Sequence, residues 1–226
     1  MLRFPCLVLD HDDTVVNSTA TVHYPAFLDA MARMRGGSDL SLDDYFRLNF
    51  DPGFVAYMRD EQHFTEADFD EEYAIWQSWV RRTVPEMYPG MKRLILRQLA
   101  EGGRIAVVSH SVDVNIRRDY RAAGVPEPEL VYGWERPPEQ RKPSPIPLLE
   151  IMAHTGLRPE ELLMVDDLKP GLDMATAAGV PFAAALWAHH VPEIRAHMHA
   201  HCENCFDTPE ALEAWLFEEE RGDGRL

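Results

Sequence analysis

Near the start of the chain an apolar run, Cys6-Leu7-Val8-Leu9, ends abruptly in Asp10-His11-Asp12-Asp13-Thr14. Four apolar residues bounded by polar ones read as a buried strand, too short for a buried helix. A strand buried on both faces suits the centre of a parallel sheet. Ligands of such sheets sit just beyond the carboxyl ends of the strands, where Asp10 and Asp12 fall. Along an extended chain these two share one face. Carboxylates so close raise one another's pKa unless a cation neutralises them. The ordinary alternative is an acidic turn capping the next helix, and this stretch by itself leaves both readings open.

Two further apolar runs end in polar chemistry. Arg104-Ile105-Ala106-Val107-Val108 leads into Ser109, and Leu162-Leu163-Met164-Val165 into Asp166-Asp167. Lys142 stands in Lys142-Pro143-Ser144-Pro145, where the proline density forbids helix or central strand and implies a stiff loop. Asp10, Asp12, Ser109, Asp166 and Asp167 thus end three strands at one edge, with Lys142 delivered nearby.

The elements that must position them follow from pattern. Glycines punctuate the second half of the chain: Gly102-Gly103 ends an amphipathic helix over Met91–Leu99, Gly124 stops one over Val112–Ala123, and Gly179 closes one over Gly171–Ala178. Between them run short strands, also at Leu130–Trp134 and Phe182–Trp187, with a helix over Leu148–Thr155. Helices over Pro192–His201 and Pro209–Glu219 finish the pattern, and Arg221–Leu226 reads as a frayed tail. Strands alternating with helices predict an α/β fold, a parallel sheet with helices on both faces. Residues 17–85 differ in character. Ser41 and Thr65 each precede an acid by three residues, Asp44 and Asp68, in the manner of a capping box. Phe69, Tyr73, Trp76, Val80 and Val84 recur at helical spacing. The expected organisation is an α/β core of residues 1–16 and 86–226, interrupted by a helical bundle at 17–85.

Composition excludes some functions. The net charge is −16 over 226 residues, which argues against a nucleic-acid backbone or an anionic membrane as partner. Cys6, Cys202 and Cys205 are odd in number and form no disulfide framework, as in a reducing compartment. The start lacks a basic segment followed by a long apolar run, and no apolar stretch is of membrane-spanning length. The expectation is a soluble cytoplasmic protein.

The four polar stations, in order and spacing, resemble the motifs of the haloacid dehalogenase superfamily. Asp10-His11-Asp12-Asp13-Thr14 is similar to its first motif, Asp-x-Asp-x-Thr. Ser109 stands for the second, Lys142-Pro143 for the third, and Val165-Asp166-Asp167 with the Gly/Ala-rich helix for the fourth. Asp13 stands where the family usually has Gly, and His110 where it commonly has Asn; Asp tolerates unusual backbone angles better than most residues. The resemblance implies a Rossmann-like core with an inserted helical cap at 17–85.

It also implies chemistry. Asp10 would be a nucleophile forming an aspartyl-phosphate. Asp12 would protonate the leaving oxygen and then deprotonate the hydrolytic water. Mg²⁺, suited to hard oxygen ligands, would be held by Asp10, the Asp12 carbonyl and Asp167, with Asp166 a direct or water-mediated helper. Ser109 and Lys142 would hold the phosphoryl group. An acid at position 12 is kept by phosphatases and phosphosugar mutases, and absent from dehalogenases and phosphonatases. The expected function is therefore Mg²⁺-dependent hydrolysis of a phosphorylated small molecule. A phosphosugar mutase is the alternative, and a non-enzymatic metal- or partner-binding module a third reading. Within the cap, His23, Arg47 and the turn Asn49–Phe54 are candidates for substrate contact, as is His110 in the core. The cluster His197, His199, His201, Cys202 and Cys205 suggests zinc; a solvated helix face, with the cysteines at its end and in a following strand, is the ordinary reading. Substrate identity and oligomeric state are not written in the sequence.

Overall fold

A computed structural model of the chain describes residues 2–218; the tail Arg221–Leu226 and the expected helix end at Glu219 lie outside the described residues. In chain order the elements are β1 (Cys6–Leu9), a π-helical turn (Thr19–His23), α1 (Tyr24–Arg35), α2 (Leu42–Phe50), α3 (Phe54–Asp60), α4 (Glu66–Arg82), α5 (Pro89–Ala100), β2 (Arg104–Val108), α6 (Asp113–Ala122), β3 (Leu130–Tyr132), α7 (Ile146–Thr155), β4 (Leu162–Asp166), α8 (Lys169–Ala178), β5 (Phe182–Ala185), α9 (Pro192–His201), β6 (Asn204–Phe206) and α10 (Pro209–Phe217).

The strand that precedes the acids is the middle of the sheet. Strand order is β3-β2-β1-β4-β5-β6, and every pairing is parallel. Leu9 pairs with Val107 on one side and Val165 on the other. The order reverses between β1 and β4, which is the switch point where open α/β sheets bind ligands.

Alternation along β1 supplies two cores. Leu7 and Leu9 pack with Leu94, Ile95, Ile116 and Leu212 under α5, α6 and α10. Cys6 and Val8 turn to the other face and pack with Leu148, Ile151, Met164 and Met174 under α7 and α8. All four β1 side chains are buried, and each leucine contributes roughly 1.5–3 kcal/mol by leaving water. β1 is thereby fixed against movement, and the acids at its end with it. β6 carries Cys205 after the α9 helix end at Cys202, as the sequence pattern implied.

Residues 17–85 are helical. Both capping boxes form: Ser41 with Asp44 opens α2 and Thr65 with Asp68 opens α4. Phe27, Met31, Tyr45, Leu48, Met58 and Phe64 make a small core of their own. Phe46 instead packs on Leu172, Val191 and Ile194 of the α/β part. The α4 stripe differs from the sequence reading. Tyr73 is exposed, and Val84 lies past the helix end and is exposed too. The inward stripe runs instead through Phe69, Glu72, Ile75, Trp76 and Val80, an equally regular i, i+3, i+4 series. A charged residue therefore occupies an inward position that apolar periodicity had assigned to its neighbour. Among the described residues no helix is long and apolar enough to cross a membrane.

Candidate active site

The β1–β4 ladder continues one residue past β1, because Asp10 N–H donates to the Val165 carbonyl (2.9 Å). The chain then turns tightly. Val15 and Val16 N–H groups both donate to the His11 carbonyl, and Asp13 N–H donates to Val16. Asp13 takes a left-handed conformation, φ 60°, a region Asp enters more easily than most residues. Its Oδ1 accepts from Thr19 N–H (3.1 Å), anchoring the start of the π-helical turn. His11 faces away from Asp10 and Asp12; its Nε2 meets Asp119 Oδ2 of α6 (3.2 Å).

The structure brings Asp10, Asp166, Asp167 and Lys142 together. Lys142 Nζ donates to Asp10 Oδ1 and to Asp166 Oδ2, both at 2.7 Å, with all three side chains buried. Asp166 Oδ1 accepts from Leu168 N–H (2.9 Å), so both of its oxygens are engaged. Asp10 Oδ2 and the Asp167 carboxylate have no hydrogen-bond or ion-pair partner among the described residues. Burial, opposed by Lys142 and reinforced by Asp166 and Asp12, pushes the Asp10 pKa up to about 7. Burial and the neighbouring Asp166 and Asp10 push Asp167 well up too. Asp10, Asp166 and Asp167 can each present an oxygen within 4.8 Å of the others, and they are the sole such metal-holding group among the described residues. One lysine cannot balance three buried carboxylates. The donor set is all hard oxygen and lacks one cation, which fits Mg²⁺.

Asp12 stands apart in a ring of donors. Ser18 Oγ donates to Oδ1 (2.7 Å), Ser111 Oγ to Oδ2 (2.6 Å), and Ser109 Oγ lies 3.4 Å from Oδ2. His23 Nε2 is 2.9 Å from Oδ1, and His23 Nδ1 accepts from Trp76 Nε1 (2.9 Å). An indole N–H can only donate, so His23 Nδ1 carries no proton and Nε2 donates to Asp12. Burial works against a charge on His23, but Asp12 outweighs it and raises the His23 pKa; the indole donation nonetheless leaves Nδ1 without a proton, so in this geometry the ring is neutral and donates from Nε2. Burial also works to raise the Asp12 pKa; the hydrogen bonds donated by His23 and Ser111 act the other way and favour an ionised Asp12, below the usual carboxylate range.

Ser109 thus joins the site, where it also accepts from Ser111 N–H (3.1 Å). His110 abuts it, with Nε2 3.2 Å from the Lys142 carbonyl and the ring edge-on to Trp134. Arg47 does not arrive: its guanidinium is held at the surface by Asp44 (2.8 Å) and Glu193 (3.4 Å). The α2 face that carries Phe46 against the α/β part turns Arg47 to those partners. The zinc cluster does not assemble either. His197 and His201 stack at 4.1 Å, while Cys205 Sγ donates to the Cys202 carbonyl at 3.7 Å. Ser18, Ser111 and Trp76 are absent from the sequence-based candidates. Ser111 was signalled by Ser109-His110-Ser111; Trp76 read as packing alone.

Comparisons with known proteins agree with this architecture. A family model described as haloacid dehalogenase-like hydrolase matches residues 7–185. A phosphoglycolate phosphatase of Rhodospirillum rubrum is 30% identical over 95 residues, which are 42% of this chain and 39% of that protein. A crystal structure of a predicted phosphoglycolate phosphatase from Haemophilus somnus 129pt superposes with TM-score 0.76 at 19% identity, covering 94% of this chain and 97% of that one. CbbY from Rhodobacter sphaeroides, in complex with xylulose-(1,5)bisphosphate, gives TM-score 0.72 at 19% identity over 94% and 96%. At such identities the structural likeness is one of fold.

Proposed function

The chain belongs to the haloacid dehalogenase-like hydrolases, and from that premise we propose that it is a divalent-metal-dependent phosphatase of small phosphate monoesters acting through an aspartyl-phosphate. One observation carries the reading: a buried carboxylate, Asp10, with one oxygen tied to Lys142 and the other open, at the switch point of the sheet. The open Oδ2 attacks phosphorus as the ester P–O bond breaks, and the leaving oxygen takes a proton from Asp12 in its protonated form, departing as the alcohol. Lys142 holds Asp10 in place and offers positive charge to the phosphoryl oxygens, with Ser109 beside them. Asp10, Asp166 and Asp167 would hold Mg²⁺, which when bound neutralises the acids and the phosphoryl charge. Asp167, free of other partners among the described residues, would be the more available of the two β4 acids to the metal, and Asp166, whose oxygens accept from Lys142 and Leu168, would assist.

Asp12 is arranged as a base. Held ionised by Ser18, Ser111 and His23, it is set to take a proton from the water that hydrolyses the aspartyl-phosphate. Serving first as the acid requires it to receive a proton and loosen from this ring. The insert at 17–85 supplies His23 and Trp76 to Asp12 and acts as a cap over the site. The R. rubrum relative's name, phosphoglycolate phosphatase, supports the phosphatase class.

The test is phosphate release from a panel of phosphate esters with Mg²⁺. Release is expected from the intact chain and lost with EDTA and in folded Asp10→Asn. Near-normal turnover by folded Asp10→Asn would overturn the mechanism.

A further inference from the structure

The helix that carries Trp76 is tied to the catalytic turn by a second route. α4 ends at Arg82, and the last carbonyls of a helix find no partner inside it. One of them, Val80, accepts from Arg118 Nη1 of α6 (2.6 Å), and Thr83, just past the helix, accepts from Arg118 Nη2 (3.3 Å). A cation suits that end of the helix dipole. The same guanidinium reaches Asp119, with Nε and Nη2 both 2.7 Å from Oδ1. Asp119 is 4% exposed, and its other oxygen, Oδ2, meets His11 Nε2 (3.2 Å). A carboxylate paired with arginine only accepts, so His11 Nε2 carries the proton and donates. His11 has no second tie of this kind: Nδ1 is enclosed without a partner among the described residues.

These bonds end on the residue that shapes the turn. The His11 carbonyl accepts from both Val15 and Val16 N–H (3.0 and 3.1 Å), and His11 stands between Asp10 and Asp12. The first route starts one helical turn earlier in α4: Trp76 donates to His23, and His23 to Asp12. Trp76 and Val80 are four residues apart and share the inward face of the helix. One helix therefore holds two neighbouring residues of the turn, Asp12 through His23 and His11 through Arg118 and Asp119. The linkers of the insert are joined beside them, where Asn17 N–H donates to the Glu86 carbonyl (2.9 Å). Lys142, Asp10 and Asp166 are paired within the α/β part alone. Asp12 is held from both parts, by Ser111 and by His23, so its placement depends on how α4 is seated.

We propose that Arg118 is a positioning residue for the reaction: it fixes α4 of the insert against the catalytic turn, so that His23 meets Asp12 where Asp12 works on water. This rests on the phosphatase reading and deepens it. A guanidinium suits the task because its planar fork serves several acceptors at fixed angles, here the Val80 and Thr83 carbonyls and Asp119. Without it the end of α4 loses its partner from α6, and Asp119 is left with His11 alone. α4 is then tied to the turn through Trp76 only. Trp76 lies one turn from the freed end, so a shift of the helix carries its indole away from His23. A helix cap would need the bonds to Val80 and Thr83 and nothing more; the continuation through Asp119 to His11 is what joins the insert to the turn.

Two readouts on the full-length chain test it. The first is the indole N–H resonance of Trp76 in a proton–nitrogen correlation spectrum, assigned by its loss in Trp76→Phe. In folded Arg118→Ala it is expected to move toward the position of a free indole, because the bond to His23 loosens. Arg118→Lys keeps a charge beside Asp119 but has no planar fork, and should show the same shift should the alanine variant fail to fold. The second readout is phosphate release from 4-nitrophenyl phosphate with Mg²⁺. Its leaving group departs without a proton, so the rate reports the step in which Asp12 acts on water. Both variants should lose about 10²-fold, the order expected for a 1 Å misplacement at a reacting centre. A purely structural helix cap would leave the indole resonance where it is, and a simple counter-charge for Asp119 would be rescued by lysine. An unmoved indole resonance in the folded variants, or full activity in Arg118→Lys, overturns the inference. A shifted resonance in Arg118→Lys, together with no phosphate release from any ester by the unaltered chain, overturns the phosphatase reading and upholds the tie between Arg118 and α4.

Discussion

Lys142 is where charge balance meets the proposed catalysis. Its ammonium bridges two buried carboxylates at 2.7 Å each, and Asp10 and Asp166 outweigh burial to push its pKa above the ordinary lysine range. Lys142→Ala leaves both acids without it. Removing one partner of a buried pair costs about 3–5 kcal/mol, and losing one charge-stabilising donor about 10²–10³ in kcat. Activity should fall by that order, and the metal-free protein should melt lower. Added Mg²⁺ should raise the melting temperature of the variant more than that of wild type, because a second cation is now the only neutraliser. An unchanged Mg²⁺ shift in melting would show that Lys142 and the metal do not share the same acids. Asp167→Ala is the complement. Asp167 has no competing partner, so half-saturating Mg²⁺ for activity should rise by about 100-fold or more, the upper end for loss of a supporting group. An unchanged half-saturation would move the metal elsewhere. At this scale the sequence showed Asp10, Asp12, Ser109, Lys142, Asp166 and Asp167, because each ends an apolar run or stands in a proline-stiffened loop. It did not show Ser111 and Ser18 as the donors nearest Asp12, since a hydroxyl's aim depends on a turn that no periodicity reports.

Elements decide whether those residues meet. The acids of β4 are followed at once by α8, and Gly171 lies in its first turns. A Cβ at Gly171 would overlap the Asp166 carboxylate. In an unobstructed helix Gly→Ala stabilises by up to about 1 kcal/mol, whereas overpacking a filled site costs about 1–3 kcal/mol. The overlap is with the group that holds Lys142, so the second effect should win. Gly171→Ala is expected to lower the melting temperature. It should also cut kcat by about 10²-fold, the order expected for a 1 Å misplacement at a reacting centre. A more stable, fully active Gly171→Ala protein would mean that Asp166 has room to turn aside. The α/β elements were legible because their strands are short apolar runs between glycine-stopped helices. In α4 the legible part was the helix and its capping box; its inward face was not. Tyr73 and Glu72 differ by one position, about 100° of helix, and aromatic residues on both sides of the helix made the wrong stripe as regular as the right one.

For the whole molecule the question is which acceptor the phosphoryl group finds. A mutase must hold a bisphosphorylated intermediate in two orientations, so the insert has to offer fixed cations to a second phosphate. The insert is instead rich in acids, which repel a second phosphate: Asp39, Asp43, Asp44, Asp51, Asp60, Glu61, Glu66, Asp68, Asp70, Glu71 and Glu72. Arg47, the arginine among the candidates for substrate contact, is held at the surface by Asp44 and Glu193. Freeing it would break two exposed, solvent-screened ion pairs, so strength does not bar Arg47; what does is its position on α2, whose Phe46 is packed against Leu172 and Val191. Water, with an ionised Asp12 as its proposed base, is the acceptor this arrangement favours. Incubation with Mg²⁺, β-glucose 1-phosphate and a trace of glucose 1,6-bisphosphate is therefore expected to yield free phosphate from any sugar phosphate consumed, with no build-up of glucose 6-phosphate. Rapid formation of glucose 6-phosphate with little free phosphate would require a second-phosphate site in the insert, and would replace hydrolysis with transfer as the reaction of this chain.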